Sequence, residues 1–227
     1  MSRGWRCILV ARGEERLRAV ATELGAEYEV CDVGERRAVE QMAASVQERH
    51  PALDLLVSNA GIRGRGGFLE FEPDRIEELL RVNYLGSVWC LRALLPALVA
   101  GRPSHLVNVV SVAGTVAVGR SGPYSASKHA QLAFSRGIAA DLAPHGVRVH
   151  TVNPGFVHTE GFPQQTLLRH PLLRRIVIGP NEVARAVLRA VDHNLPEIYV
   201  PRWYRIAAIA QALAPGTLSR RLARRGF

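Results

Sequence analysis

Three side chains in this 227-residue chain have the types and the spacing to handle a proton: Ser111, Tyr124 thirteen residues on, and Lys128 four beyond that. Positions four apart share a helix face, so the Lys128 ammonium is expected beside the Tyr124 phenol. A neighbouring cation favours phenolate and lowers a tyrosine pKa from about 10, which suits a group that gives a proton to a carbonyl oxygen and takes it back. Ser111 can offer its hydroxyl to the same oxygen. The lysine stands out in a second way: 28 of the 29 basic residues are arginine, and Lys128 is the only lysine. An ammonium can change protonation where a guanidinium cannot, so this one departure from arginine marks a position where the difference matters.

These residues need elements to hold them, and short apolar runs alternate with stretches of helical spacing along the chain. The pattern predicts strands at 6–11, 27–31, 53–58, 106–110, 147–152 and 197–200, with helices at 14–24, 35–49, 74–99, 124–142 and 182–192. Strands that are almost wholly apolar and separated by helices pair in parallel with both faces covered. The expected fold is therefore α/β, a doubly wound parallel sheet in a single domain over residues 1–200, with 201–227 a basic amphipathic extension of it. Such a sheet binds ligands at the carboxyl ends of its strands. Four of those ends are unusual: Arg12, Asn59-Ala60-Gly61, Ser111 and Asn153-Pro154-Gly155.

Composition narrows the classes. With 48% hydrophobic and 22% charged residues, the chain is neither disordered nor collagen-like. A chain of this length buries about 70% of its unfolded surface, so it needs no disulfide or metal staple. Cys7, Cys31 and Cys90 are odd in number and lie in apolar runs, which predicts reduced core residues of a cytoplasmic protein and no metal site. The apolar stretch Cys7 to Ala11 is too short for a signal peptide or a membrane span.

The net charge of +9 is concentrated in the last third, where residues 161–227 hold eleven arginines against Glu182, Asp192 and Glu197. After Pro201 there are six arginines and no acid, with Trp203, Tyr204, Ile206 and Ile209 in an apolar stretch. Such a segment can lie on an anionic membrane surface, close over a substrate pocket or make an oligomer contact. Two other readings fail on residue type. Ser125-x-x-Lys128 fits a nucleophilic-serine motif that needs a second lysine, and the Arg-Gly-Arg-Gly-Gly run at 63–67 lacks the aromatics of a nucleic-acid surface, so no nucleic acid is expected.

The order and spacing of Asn59-Ala60-Gly61, Asn83, Ser111, Tyr124-x-x-x-Lys128, Asn153-Pro154-Gly155 and Thr159 resemble those of the short-chain dehydrogenase/reductase family. The resemblance implies a Rossmann-like fold, a nicotinamide cofactor and Tyr124 as general acid and base. It further implies that Lys128 lowers the tyrosine pKa and binds the nicotinamide ribose, that Ser111 orients substrate, and that Asn83 holds a water in the proton relay. Asn59, Ala60 and Gly61 would line the adenosine side with Asp32 at the adenine, and Pro154, Gly155, Val157 and Thr159 would run along the nicotinamide. Arg12 and Arg16 after the first strand, with no acid at the strand end, suit a 2′-phosphate, so NADP is expected ahead of NAD.

One part of the family pattern is not found in this sequence: a first strand, a glycine-rich turn for the pyrophosphate and a first helix, roughly 25 residues. The run Gly61 to Gly66 is expected to be a flexible loop over the site instead. The expected function is an NADP-dependent oxidoreductase interconverting a carbonyl and an alcohol on a small apolar substrate. Phe68, Phe156 and Phe162 are expected near the pocket, and the assembly is expected to be a homo-oligomer. The alternative is a remnant of such an enzyme that cannot hold the cofactor.

Overall fold

Apolar runs become strands and the stretches between them helices, in the computed structural model that describes residues 4–117, 119–159 and 173–216. The order is β1 (Ile8–Ala11), α1 (Glu14–Leu24), β2 (Glu27–Val30), α2 (Arg36–Arg49), β3 (Leu55–Ser58), α3 (Pro73–Leu80), α4 (Gly86–Ala100), β4 (Ser104–Val109), α5 (Gly122–Leu142) and β5 (Val147–Pro154). A short pair, β6 (Phe156–Val157) and β7 (Val177–Ile178), follows in the stretch expected to be irregular. Then come α6 (Pro180–Asp192), β8 (Glu197–Val200) and α7 (Tyr204–Leu213).

Every strand pair is parallel, but the ladder is in pieces. β3, β4, β5 and β8 form one sheet in the order β3-β4-β5-β8, β1 pairs only with β2, and β6 with β7. No backbone ladder joins β1 to β3 among the described residues. Side chains join them instead: Val39, Met42, Ala43 and Val46 of α2 and Leu94 of α4 pack with Ile8 and Val10 of β1 and Leu56 of β3. Two further clusters cover the larger sheet, α6 through Ala186 and Ala190 on one face, α4 and α5 through Leu91, Leu98 and Leu142 on the other. The sheet is thus doubly wound, as the apolar strands require.

The helical pattern at 74–99 is one run in the sequence and two helices in the structure. A π turn over Arg81–Leu85 separates α3 from α4, and buried Asn83 lies within it. Such a turn breaks the regular ladder and is common at functional sites. α5 is also unusual. Ser121 and Pro123 mark its start, and the residues it buries include Ser125, Ser127, Lys128, Gln131 and Ser135, a polar face turned inward.

Candidate active site

The proton-handling set comes together at the carboxyl edge of the larger sheet. Ser111 lies two residues beyond β4, where its Oγ accepts a hydrogen bond from the Ala113 amide at 3.1 Å. The Tyr124 phenol, in the first turn of α5, lies close enough to the Ser111 hydroxyl for that group to lower its pKa. Lys128, one turn on, is buried, and its Nζ donates to Gln131 Oε1 at 2.8 Å and to the Val109 carbonyl at 3.4 Å. Burial pushes the lysine down to about 7. The same desolvation raises the Tyr124 phenol above its ordinary value, and the Ser111 hydroxyl only partly offsets it. The expected lowering of Tyr124 by Lys128 is therefore corrected: both groups are desolvated, and a lysine titrating near neutrality carries only part of a charge.

Asn83 and the loop after β3 are bonded to each other. Asn83 Oδ1 accepts from the Ile62 amide at 2.7 Å, and its Nδ2 donates to the Ile62 carbonyl and to Ser127 Oγ, each at 3.0 Å. Ser127 Oγ in turn donates to the Tyr124 carbonyl at 2.7 Å. The Asn83 side chain thus ties the loop to the turn that carries Tyr124. The run from Gly61 to Gly66 is held at two further points. Beyond the Ile62 clamp, Arg75 donates to the Arg63 carbonyl at 2.6 Å and the Gly66 amide to the Arg120 carbonyl at 2.7 Å.

The end of β5 rests on a residue that sequence reasoning missed. Glu197, the first residue of β8, accepts from Asn153 Nδ2 at 3.1 Å, from the Tyr199 hydroxyl at 2.9 Å, and from Arg136 Nε and Nη2 at 2.7 and 2.8 Å. The only sequence signal was a carboxylate opening an otherwise apolar strand. Beyond Pro154, glycine is obligatory at 155, since a Cβ there would stand 2.1 Å from Cε2 of Tyr204 on α7. Phe156 meets the same tyrosine edge-on, ring centres 6.5 Å apart. Val157 lies in β6, and Thr159 follows at the limit of the described stretch. Phe68, by contrast, is 74% exposed, and Phe162 lies outside the described residues.

On the smaller sheet, Arg12 and Asp32, read separately as phosphate and adenine partners, face each other. Arg12 Nη1 stands 3.4 Å from Asp32 Oδ2 at an exposed position, and Asp32 Oδ1 accepts from the Gly34 amide at 2.8 Å. Asn59, Ala60 and Gly61 are exposed at the end of β3.

This geometry has known counterparts. Residues 1–167 match the sequence profile described as short chain dehydrogenase. The chain belongs to the short-chain dehydrogenase family. Its relatives include the dehydrogenase/reductase SDR family member 7B of Xenopus laevis, 30% identical over 87% of this chain and 66% of that protein. Another is a putative ketoacyl reductase of Streptomyces coelicolor, 34% identical over 69% of this chain and 62% of that protein. The chain spans about half to two thirds of the length of the first such relatives. Among solved structures, a gluconate 5-dehydrogenase from Burkholderia cenocepacia in complex with NADP and tartrate superposes with a TM-score of 0.77. It is 26% identical, with 87% of this chain and 84% of that chain covered. An alcohol dehydrogenase from the archaeon Thermococcus sibiricus, complexed with 5-hydroxy-NADP, gives 0.75 at 27% identity, covering 87% of this chain and 86% of that one.

The residues of this family member fit the two ends of a nicotinamide dinucleotide. At one end an exposed cation and carboxylate, Arg12 and Asp32, offer charge and hydrogen bonds. At the other, a Cβ on Gly61 would come within 3.2 Å of Asn83 Oδ1 and 3.6 Å of Lys128 Nζ, so bare backbone opens onto the lysine. Between them, no glycine-rich turn joins a strand to a helix among the described residues.

Proposed function

We propose that this chain interconverts a carbonyl and an alcohol on a small apolar substrate, using NADP(H), with Tyr124 as general acid and base. The observation that carries this reading is the nearness of the Ser111 hydroxyl to the Tyr124 phenol at the carboxyl edge of the sheet, with Lys128 buried one helical turn behind it. When bound, the nicotinamide supplies or accepts the hydride. In the reducing direction the Tyr124 hydroxyl gives its proton to the carbonyl oxygen, and the Ser111 hydroxyl donates a hydrogen bond to the same oxygen. A phenol held above its ordinary pKa is protonated at neutral pH, the form that reduction needs. For the reverse reaction the phenolate is favoured by the Ser111 hydroxyl and by the amino terminus of α5, whose dipole stabilises negative charge. Lys128 and the Asn59–Gly61 backbone would bind on the cofactor side, and Arg12 supports a 2′-phosphate ligand.

The test is Tyr124→Phe, which removes the transferable proton and little else. Carbonyl reduction is expected to fall by about 10² to 10⁴ while NADPH affinity, followed by cofactor fluorescence, stays within a few-fold. Retention of more than about a tenth of the rate would assign the acid to another group.

A specific observation favours a second reading. With β1 and β3 unjoined and no phosphate-binding turn among the described residues, the chain could keep the proton-handling set without holding a dinucleotide. No fluorescence change on titrating the 227-residue chain with NADPH would select that reading.

Three features support further parts of the proposal. Cys31 and Cys90 pack around one cluster and remain thiols, which suits the reducing cytoplasm. Phe156 and Tyr204 give an apolar flank for the substrate. On α7, Ile206, Ile209 and Leu213 are exposed beside Arg202 and Arg205, a face suited to an anionic membrane surface or to a second copy in a homo-oligomer. Sedimentation with phosphatidylserine vesicles that is lost in Ile206→Ser/Ile209→Ser would support the membrane contact, and no sedimentation would refute it.

A further inference from the structure

Lys128 is held by a side chain that the reaction scheme does not use. Gln131, one turn along α5, is fully buried, and its Oε1 lies 2.8 Å from Lys128 Nζ. The other end of the amide is fixed as well: Gln131 Nε2 donates to Ser87 Oγ at 2.8 Å, and Ser87 is itself buried on α4. The chemistry leaves no ambiguity about which end faces the lysine. An ammonium has donors only, so it requires the amide oxygen, and the Ser87 oxygen then receives the amide N–H. With the Val109 carbonyl at 3.4 Å, two of the three ammonium hydrogens are directed at protein oxygens. A third is left for the side that opens onto the Gly61 backbone. No charged side chain perturbs the lysine; burial alone opposes its charge.

We propose that Gln131 is a positioning residue for Lys128: its carbonyl, aligned by Ser87, stabilises the ammonium in a buried site and aims its remaining hydrogen at the ligand side. An unpartnered ammonium in this place would lose its proton more readily, and a neutral amine would be a poorer hydrogen-bond donor to the ligand. The pair also lies within one helix, at positions three apart, so it forms as soon as α5 does. Only the contact with Ser87 depends on the docking of α4. The consequence for catalysis rests on the function proposed above, whereas the effect on the lysine itself does not.

Because Lys128 is the only lysine, the full-length chain grown with lysine ¹³C-labelled at Cε gives one lysine resonance, whose chemical shift against pH reads this side chain alone. Gln131→Met keeps the length of the side chain and removes the acceptor, so the lysine pKa is expected to fall by about one unit. Gln131→Glu places a carboxylate at the same distance and is expected to raise it by about 1 to 3 units. Ser87→Ala frees the amide to rotate and should give a smaller fall than Gln131→Met. Superimposable titrations of wild type, Gln131→Met and Gln131→Glu would overturn the proposal, as would shifts of the same sign in the two variants, which would indicate a merely structural role. These readouts need no cofactor or substrate. A shift in pKa without a matching shift in the pH profile of carbonyl reduction would instead count against the proposed function.

Discussion

The two parts of the sheet are built in opposite ways. Around β4, α5 and β5, polar side chains are buried and bonded to one another: Asn108 to Ser135, Ser135 to Thr151, Gln131 to Ser87 and to Lys128, and Asn83 to Ser127. Around β1, α1 and β2, the functional candidates Arg12 and Asp32 are an exposed pair, and the two strands have only each other for a ladder. Buried hydrogen bonds between side chains restrict the geometry on this side, and Asn108 Oδ1, Ser125 Oγ and Asn153 Oδ1 are buried there without a partner among the described residues. Exposed ion pairs contribute little to stability and leave both partners available to a ligand. The proton-handling side is thus held by buried hydrogen bonds, while the smaller sheet offers charge on a unit held to the rest through α2, by the apolar cluster and by polar contacts such as Ser45 to Glu29 and Gln47 to the Ala93 carbonyl.

Changes on the two sides should fail differently. The largest effect is the loss of rate in Tyr124→Phe, with folding intact. Of comparable size but opposite character is Met42→Ala in α2, which hollows the cluster joining β1 to β3. It is expected to cost about 2 to 5 kcal/mol, read as a lower urea midpoint. If the smaller sheet is a separate unit, the loss should appear as early release of β1 and β2 in hydrogen exchange, whereas one cooperative transition would show that the contacts through α2 couple the two parts.

A smaller effect is expected at the exposed pair. Arg12→Asp exchanges a cation for a carboxylate beside Asp32, and the preference between NADPH and NADH should shift toward NADH on the order of tenfold, measured as the ratio of their dissociation constants. Unchanged discrimination would mean that Arg12 does not face the cofactor ribose.

A further effect is a slope with pH, whose sign follows from the buried groups. Folded Lys128 gives up its proton near 7, whereas an unfolded lysine keeps it to about 10.5. Between those values the unfolded chain binds more protons, so stability rises with pH. His105 and His150, also lowered by burial, extend the same trend below neutrality. The thiol of Cys90 and the phenol of Tyr204, pushed up to about 12, act oppositely: above about 9 to 10 the unfolded groups ionise first and stability falls. The ligand-free chain should therefore melt highest near pH 9, a maximum that thermal scans from pH 5 to 11 would locate.

Much of the fold was legible in local sequence. Strand and helix positions followed from apolar runs and their spacing because a sheet covered on both faces needs apolar residues at nearly every strand position. The helix 14–24 and the strand 197–200 were found to the residue. The strand ends were legible for the same reason, since topology alone puts all carboxyl ends of parallel strands on one edge. α5 and the π turn were harder. Gln131 and Ser135 carry no local signal of burial, yet with Lys128 they point inward, because α4, β4 and β5 supply partners from sequence positions far away.

The sequence by itself determined that Ser111, Tyr124 and Lys128 share one edge of a parallel sheet, because the periods of helix and strand are local properties. Tertiary structure decided how those groups behave. Burial set the direction of the Tyr124 and Lys128 pKa values against the expectation from spacing, since desolvation depends on everything packed around a group and spacing reports only its neighbours along one helix. The partners of Lys128 and Asn153 were settled in the same way. Gln131 is oriented by Ser87, 44 residues away, and Glu197 reaches Asn153 across the same number of residues, separations over which no sequence period carries information.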